Sequence, residues 1–360
     1  GKDSMKIIHC ADLHLDSKLE SNLPKSKSDE RKAEVTLAFR RMTEFAVSNG
    51  VSVIIIAGDL FDSDRIRKTT KEFVLGEIRR LPDITFLYLP GNHDRGVQLI
   101  ESCDLPQNFK VFGKTWTGFE FDNVVITGVE LTDDNCRHIY GSLRLDIDRF
   151  NIVTLHGQLG VECKTDAVNR KLLSEKPIDY LALGHYHSFE SGKIGKTTWC
   201  YCGCLEGRGF DEAGDKGFVL LDVAEDNSFT YEFIKNSRRD IVRVECDVSG
   251  LEDTSEILKQ IEEAVETLKP DSMVKLILKG DVGADASIDT ELFKKYLEDR
   301  FWFSKFSDET RLKLCAEDYV NDISLKGEFI RRVMASDLPE ALRDRVIQCG
   351  LAALSGREVL

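Results

Sequence analysis

Five short stretches of this 360-residue chain carry residue types able to do metal chemistry: Asp12-Leu13-His14, Gly58-Asp59-Leu60-Phe61-Asp62, Gly91-Asn92-His93-Asp94, His156-Gly157 and Gly184-His185-Tyr186-His187. Imidazole nitrogens with carboxylate and amide oxygens are the donors that divalent transition metals take. His185 and His187 stand two apart, so in an extended segment both point to one side and can converge on one object. Singly, each residue has a plainer role: Asp12 or Asp59 as a helix cap, Asn92 in a turn, His156 as a hydrogen-bonded core residue. Jointly the plain roles fail. Five of the seven histidines fall in these stretches and only His9 and His138 lie elsewhere, yet capping and turn chemistry do not call for histidine.

Each stretch follows an apolar run that reads as a strand. Strands are expected over 6–10, 51–57, 84–89, 124–129, 152–155, 180–183 and 218–223, with helices over 28–49 and 69–80. Alternation of this kind is the signature of an α/β domain. In open α/β sheets ligands gather beyond the carboxyl ends of the strands, and five strands here deliver Asp, Asn and His at that edge. Residues 1–235 therefore read as the domain that carries the site. After a linker at Asn236–Asp240 the pattern restarts as a small α+β unit over 241–310. Within it Ile257, Leu258, Ile261, Val265 and Leu268 fall at helical spacing. Residues 311–360 end in helices, with Asp337 and Glu340 spaced as a capping box.

The ordered set DxH, GDxxD, GNHD, H and GHxH resembles the calcineurin-like metallophosphoesterase superfamily over roughly the first 220 residues. The resemblance implies a metallophosphoesterase β-sandwich flanked by helices, with two metal ions at the strand ends. It implies Asp12, His14 and His187 on one ion, Asn92, His156 and His185 on the other, and Asp59 bridging both. Two dications about 3.5–4 Å apart repel unless an anion lies between them. The same resemblance makes His93 the catalytic proton donor, oriented by Asp94. Nitrogen and oxygen donors together suit manganese, iron or zinc, and the family favours manganese.

Further along, Gly203-Cys204-Leu205-Glu206-Gly207-Arg208-Gly209-Phe210 and Lys216-Gly217-Phe218 resemble the close of the nuclease domain in SbcD-type DNA repair exonucleases, more narrowly their YhaO-like branch. Where that family commonly has Pro-Gly-Ser, this chain has Cys202-Gly203-Cys204. The implied function is a metal-dependent DNA exonuclease or endonuclease, with residues 241–310 as a capping domain and the C-terminal helices docking on an SMC-like ATPase; a homodimer is compatible with this reading. Two alternatives stand beside it: a small-molecule phosphodiesterase or phosphatase, and a binding subunit of the ATPase whose metal site is idle.

Composition bounds these readings. The net charge of −14 argues against a nucleic-acid partner, but it is uneven: residues 241–360 carry 17 Lys and Arg against 25 Asp and Glu, whereas residues 1–100 carry 16 against 15. Arg65, Arg67, Lys68 and Lys71, after the GDLFD stretch, are candidates for phosphate contacts or for a solvated helix face. The apolar runs are too short for a membrane span. Met5 leads straight into strand-like sequence, so no leader is read, and ten scattered cysteines without a framework point to reduced thiols in the cytoplasm. Cys200, Cys202 and Cys204 alternate, as small packing residues on one strand face would; metal binding is the lesser reading.

Overall fold

The computed structural model describes residues 4–19, 23–62, 66–94, 105–283, 286–313 and 319–354. Two compact units divide the chain, residues 1–241 and 242–360.

The first unit is built on two six-stranded sheets. One runs Phe229–Lys235, Gly217–Ala224, Ser4–Cys10, Val53–Ala57, Thr85–Leu89, Phe109–Val111; the other runs Glu190–Ile194, Thr197–Tyr201, Tyr180–Gly184, Phe150–His156, Val124–Gly128, Thr117–Phe121. The central strands of each sheet are parallel, so their carboxyl ends share an edge: Ser4–Cys10 with Val53–Ala57 and Thr85–Leu89 in one, Phe150–His156 with Tyr180–Gly184 in the other. Between the sheets Ile7, Val53, Ile55 and Leu87 meet Ile126, Ile152, Tyr180 and Ala182.

The opposite face of the first sheet, through Ile8, Ile54, Ile56 and Phe86, packs on Val35, Phe39 and Met42 of helix Lys25–Ser48 and on Val74 and Ile78 of helix Lys68–Arg79. The outer face of the second sheet is covered by short elements bearing Ile139, Tyr140, Val168 and Leu173. The expected α/β sandwich with flanking helices is thus the observed fold. Because both faces of the central strands are covered, they read as unbroken apolar runs. Each fully buried Ile, Leu or Phe contributes about 1.5–3 kcal/mol relative to exposure, which makes this sandwich the rigid base of the loops at its edge.

The second unit has a three-stranded sheet, Ile241–Asp247, Met273–Lys279, Phe303–Asp308. Helices Thr254–Val265 and Thr290–Arg300 lie on it through Ile257, Ile261, Phe293 and Leu297. Asp253 and Asp289 cap these helices by accepting from Ser255 N at 2.7 Å and Leu292 N at 3.0 Å. Helices Leu325–Met334 and Glu340–Leu354 follow, joined by a small cluster of Tyr319, Ile330 and Ile347. Among the described residues no helix is long and apolar enough to cross a membrane.

Candidate metal centre

The loops after the first two central strands are zipped to each other. Asp12 N donates to Gly58 O at 3.0 Å, His14 N to Asp59 O at 2.9 Å and Leu15 N to Leu60 O at 3.0 Å. Within this ladder Asp12, His14 and Asp59 hold φ of 52°, 45° and 51°, and His185, from the other sheet, holds 112°. Non-glycine residues rarely adopt such values, and they cluster where surrounding structure enforces them at functional sites. Glycine is needed where backbone passes the donors. A Cβ on Gly58, itself at φ +99°, would stand 2.0 Å from His156 Nδ1, and one on Gly91 would stand 2.2 Å from Asp59 Oδ1.

All seven expected donors come together at this edge. Donor atoms of Asp12, His14 and His187 lie within 4.8 Å of one another, as do those of Asp12, Asp59 and His156. Asn92 Nδ2 is 3.4 Å from His185 Nδ1, and the His156 and His185 rings meet edge to face at 5.6 Å. The Asp12 carboxylate receives the His185 main-chain N–H at 3.0 and 3.1 Å, which ties the two sheets' loops to one point.

Hydrogen bonds on the far side of three rings determine which nitrogen faces inward. His14 Nδ1 is 2.9 Å from Asp62 Oδ1, His187 Nδ1 is 2.7 Å from Glu212 Oε1, and His156 Nδ1 is 2.8 Å from Ala57 O. An ionised carboxylate and a carbonyl only accept, so each Nδ1 carries a proton and each Nε2 is the nitrogen turned inward. The Nε2 atoms of His14 and His187 then face each other at 3.0 Å. At that distance the two nitrogens share either a proton or a metal ion. Donors about 2.1 Å from a metal and at right angles around it are separated by about 3 Å. His156 Nε2 is buried without a hydrogen-bond partner: Asp59 Oδ2 approaches to 3.2 Å, but without hydrogen-bond alignment. Imidazole and carboxylate donors converging in this way fit a divalent metal site.

The electrostatics agree. Burial opposes ionisation of Asp59, yet the contacts with His156 and His14 and the His93 N–H hold its carboxyl well below the usual carboxylate range. Burial would lower His156, but Asp59 and Asp12 outweigh it and raise this histidine to about 9. Asp12 is pushed up to about 7, chiefly by burial. His187 is raised, its pairing with Glu212 overcoming burial.

One expected pairing is not found. Asp94, expected to orient His93, is buried, and its carboxylate accepts from Tyr88 Oη at 2.6 Å, Leu60 N at 2.7 Å and Gly91 N at 2.5 Å. It braces the loop instead. The carboxylate beside the half-exposed His93 ring is Asp62, 3.5 Å from Nδ1, while the His93 N–H donates to Asp59 Oδ1 at 2.8 Å. Asp62 was in view in the GDLFD stretch, three residues after Asp59.

Arg208 and Lys216 stood in the two stretches that resemble the close of a nuclease domain, while Glu212, between them, had no such local signal. Arg208 lies 3.4 Å from Asp62 and 2.6 Å from Glu212. Of the basic residues after GDLFD, Arg67 is paired with Asp16, Lys68 with Glu72, and Arg65 lies outside the described residues. Cys200 and Cys202 pack between the sheets. Gly203, at φ +75°, breaks the alternation, so Cys204 turns its Sγ toward His187 O, 3.6 Å away.

Comparison with known proteins gives consistent neighbours. A family model described as calcineurin-like phosphoesterase matches residues 5–189. YhaO of Bacillus subtilis, described as an uncharacterized metallophosphoesterase, is 26% identical over 296 residues, covering 77% of this chain and 72% of that protein. The DNA double-strand break repair protein Mre11 of Haloferax volcanii is 25% identical over 367 residues, covering 97% of this chain and 75% of that protein.

Proposed function

The chain belongs to the calcineurin-like phosphoesterase family, whose members are metal-dependent phosphoester hydrolases, and from that premise we propose that it is a two-metal phosphodiesterase acting on DNA, the nuclease subunit of a repair assembly. The observation that carries the hydrolytic reading is the facing pair of Nε2 atoms on His14 and His187 at 3.0 Å, each oriented from behind by a carboxylate. The DNA reading is supported by the similarity to Mre11 along 97% of the chain.

In this reading Asp12, His14 and His187 would hold one ion and Asn92, His156 and His185 a second, with Asp59 serving both. The donor set suits manganese, with iron or zinc as alternatives. When bound, the ions neutralise phosphate charge as Lewis acids and raise the acidity of water. The remaining work falls to this chain's own groups. Asp62 turns Nδ1 of His93 inward, which leaves Nε2 to deliver a proton to the leaving oxygen. Asp94, through Tyr88, Leu60 and Gly91, keeps Asn92 and His93 in register with Asp59. Residues 241–310 cap the DNA, residues 311–360 bind an SMC-like ATPase, and the protein works in the cytoplasm.

The net charge of −14 favours a second reading, a small-molecule phosphodiesterase. Linear DNA and bis(p-nitrophenyl) phosphate, each incubated with the full chain and manganese, separate the two. Release of nucleotides from DNA, lost in D59N and H93Q, supports the nuclease. Intact DNA beside rapid release of nitrophenol overturns it in favour of the small substrate.

A further inference from the structure

The outer face of His187 is held by a segment that the donor motifs do not include. Glu212, 8% exposed, is 2.7 Å from the ring's Nδ1. The same carboxylate accepts from Arg208 through its main-chain N at 2.7 Å, Nε at 3.0 Å and Nη2 at 2.6 Å. Arg208 in turn reaches toward Asp62, the carboxylate behind His14. Lys216, almost wholly buried, donates from Nζ to the His187 carbonyl at 2.6 Å and to Ser188 Oγ at 3.3 Å.

This segment is itself anchored. Glu206 is buried between Arg31 Nη2 at 2.7 Å and Arg41 Nη2 at 2.6 Å and accepts from Arg238 N at 2.6 Å, while Arg31 also donates to Gly207 O. Ring and main chain of one histidine are thus fixed by two charged side chains of a single braced segment. A buried ammonium held by neutral acceptors carries a desolvation cost. Its presence is explained if the position of the histidine, rather than stability, is what the segment serves.

We propose that Glu212, oriented by Arg208, is a positioning residue for His187. It selects the tautomer whose Nε2 faces the ion held with Asp12 and His14, and Lys216 holds the same residue's main chain at the required depth. The inference rests on the metal-site reading above and names one ion of the pair as the one that depends on this segment. Carboxylates hydrogen-bonded to ligating histidines act in this way generally, and their removal costs about 10–100-fold in metal affinity.

The experiment is a calorimetric titration of metal-free full-length chain with manganese, comparing wild type, E212A, E212Q and E77Q, with thermal unfolding of each. Glu77 is a similarly buried carboxylate bound to Arg40 and Arg80, outside the site, and E77Q controls for lost stability. Wild type should take two ions. In E212A one of the two should weaken by about 10–100-fold while the other stays unchanged, and in E77Q both should keep wild-type affinity. E212Q retains an acceptor oxygen without the charge and should fall between wild type and E212A; it carries the test if E212A does not fold. Two ions bound by E212Q and E212A as tightly as by wild type, or equal weakening at both ions in E212A and E77Q alike, overturns the proposal alone. A wild type that takes up no manganese overturns the metal-site reading itself.

Discussion

His9 stayed out of the donor set, and its surroundings make it a sensor of acid. It lies wholly buried between the sheets, with Nδ1 3.0 Å from Tyr180 Oη and Nε2 3.2 Å from Leu183 O. Burial drives its pKa from 6.5 to about 3, the Leu183 carbonyl offsetting only part of that. The sign follows from proton counting. Above pH 6.5 neither folded nor unfolded chain protonates His9, and no penalty exists. Between pH 6.5 and 3 the unfolded chain binds a proton that the folded chain refuses, so stability falls as pH falls. At pH 5 the interval is about 1.5 pH units, or about 2 kcal/mol.

Replacement by glutamine removes the titration and disturbs the two hydrogen bonds, at a cost of about 1 kcal/mol. H9Q should therefore be less stable than wild type at pH 7.5 by about 1 kcal/mol and equal to it or more stable at pH 5, since all other titrations are common to both chains. Urea unfolding at the two pH values, followed by near-ultraviolet circular dichroism, measures the difference. A stability gap that stays constant in sign and size between pH 7.5 and pH 5 would refute the reasoning.

Three further outcomes are expected. H93Q should lower turnover by about 10²–10⁴-fold without changing bound manganese by elemental analysis, because the ring lies beside the donor set and outside it. D94N should unfold at lower urea concentration, by about 2–4 kcal/mol, since one amide oxygen cannot replace a carboxylate that accepts from Tyr88, Leu60 and Gly91 in the interior; wild-type stability would remove Asp94 from its bracing role. G58A should lose manganese affinity at the ion that needs His156, because its Cβ falls 2.0 Å from that ring at a φ of +99°. Unchanged binding on titration would mean the ring is free to move.

The site was legible because coordination chemistry restricts residue type while strand ends restrict spacing, so Asp12, His14, Asp59, Asn92, His156, His185 and His187 stood out as sets. The central strands were legible because cover on both faces leaves them continuously apolar. Edge strands were not: Thr117–Phe121 and Phe229–Lys235 alternate between half-buried and exposed positions, and Glu190–Ile194 contains Ser191, Gly192 and Lys193. Adjacency misled at Asp94, since neighbouring side chains in an extended turn diverge; Asp94 points inward while His93 stays at the surface. Glu212 reaches His187 across 25 residues, and such a pairing is set by how the loops cross, which no local pattern encodes.

The same loop crossing explains how four donors keep unusual backbone angles without glycine. Asp12, His14, Asp59 and His185 each hold a conformation that costs an L-residue about 1–2 kcal/mol. The bonds that impose these angles join protein to protein: the ladder from Asp12–Leu15 to Gly58–Leu60 and the His185 N–H on the Asp12 carboxylate. Those loops leave strand ends that are buried on both faces, so moving one donor outward means breaking its ladder bonds or dragging a central strand. Strained loops fastened to a rigid sandwich in this way hold the candidate donors in place through protein–protein bonds, and the hydrogen bonds behind His14, His156 and His187 set which ring nitrogen each presents.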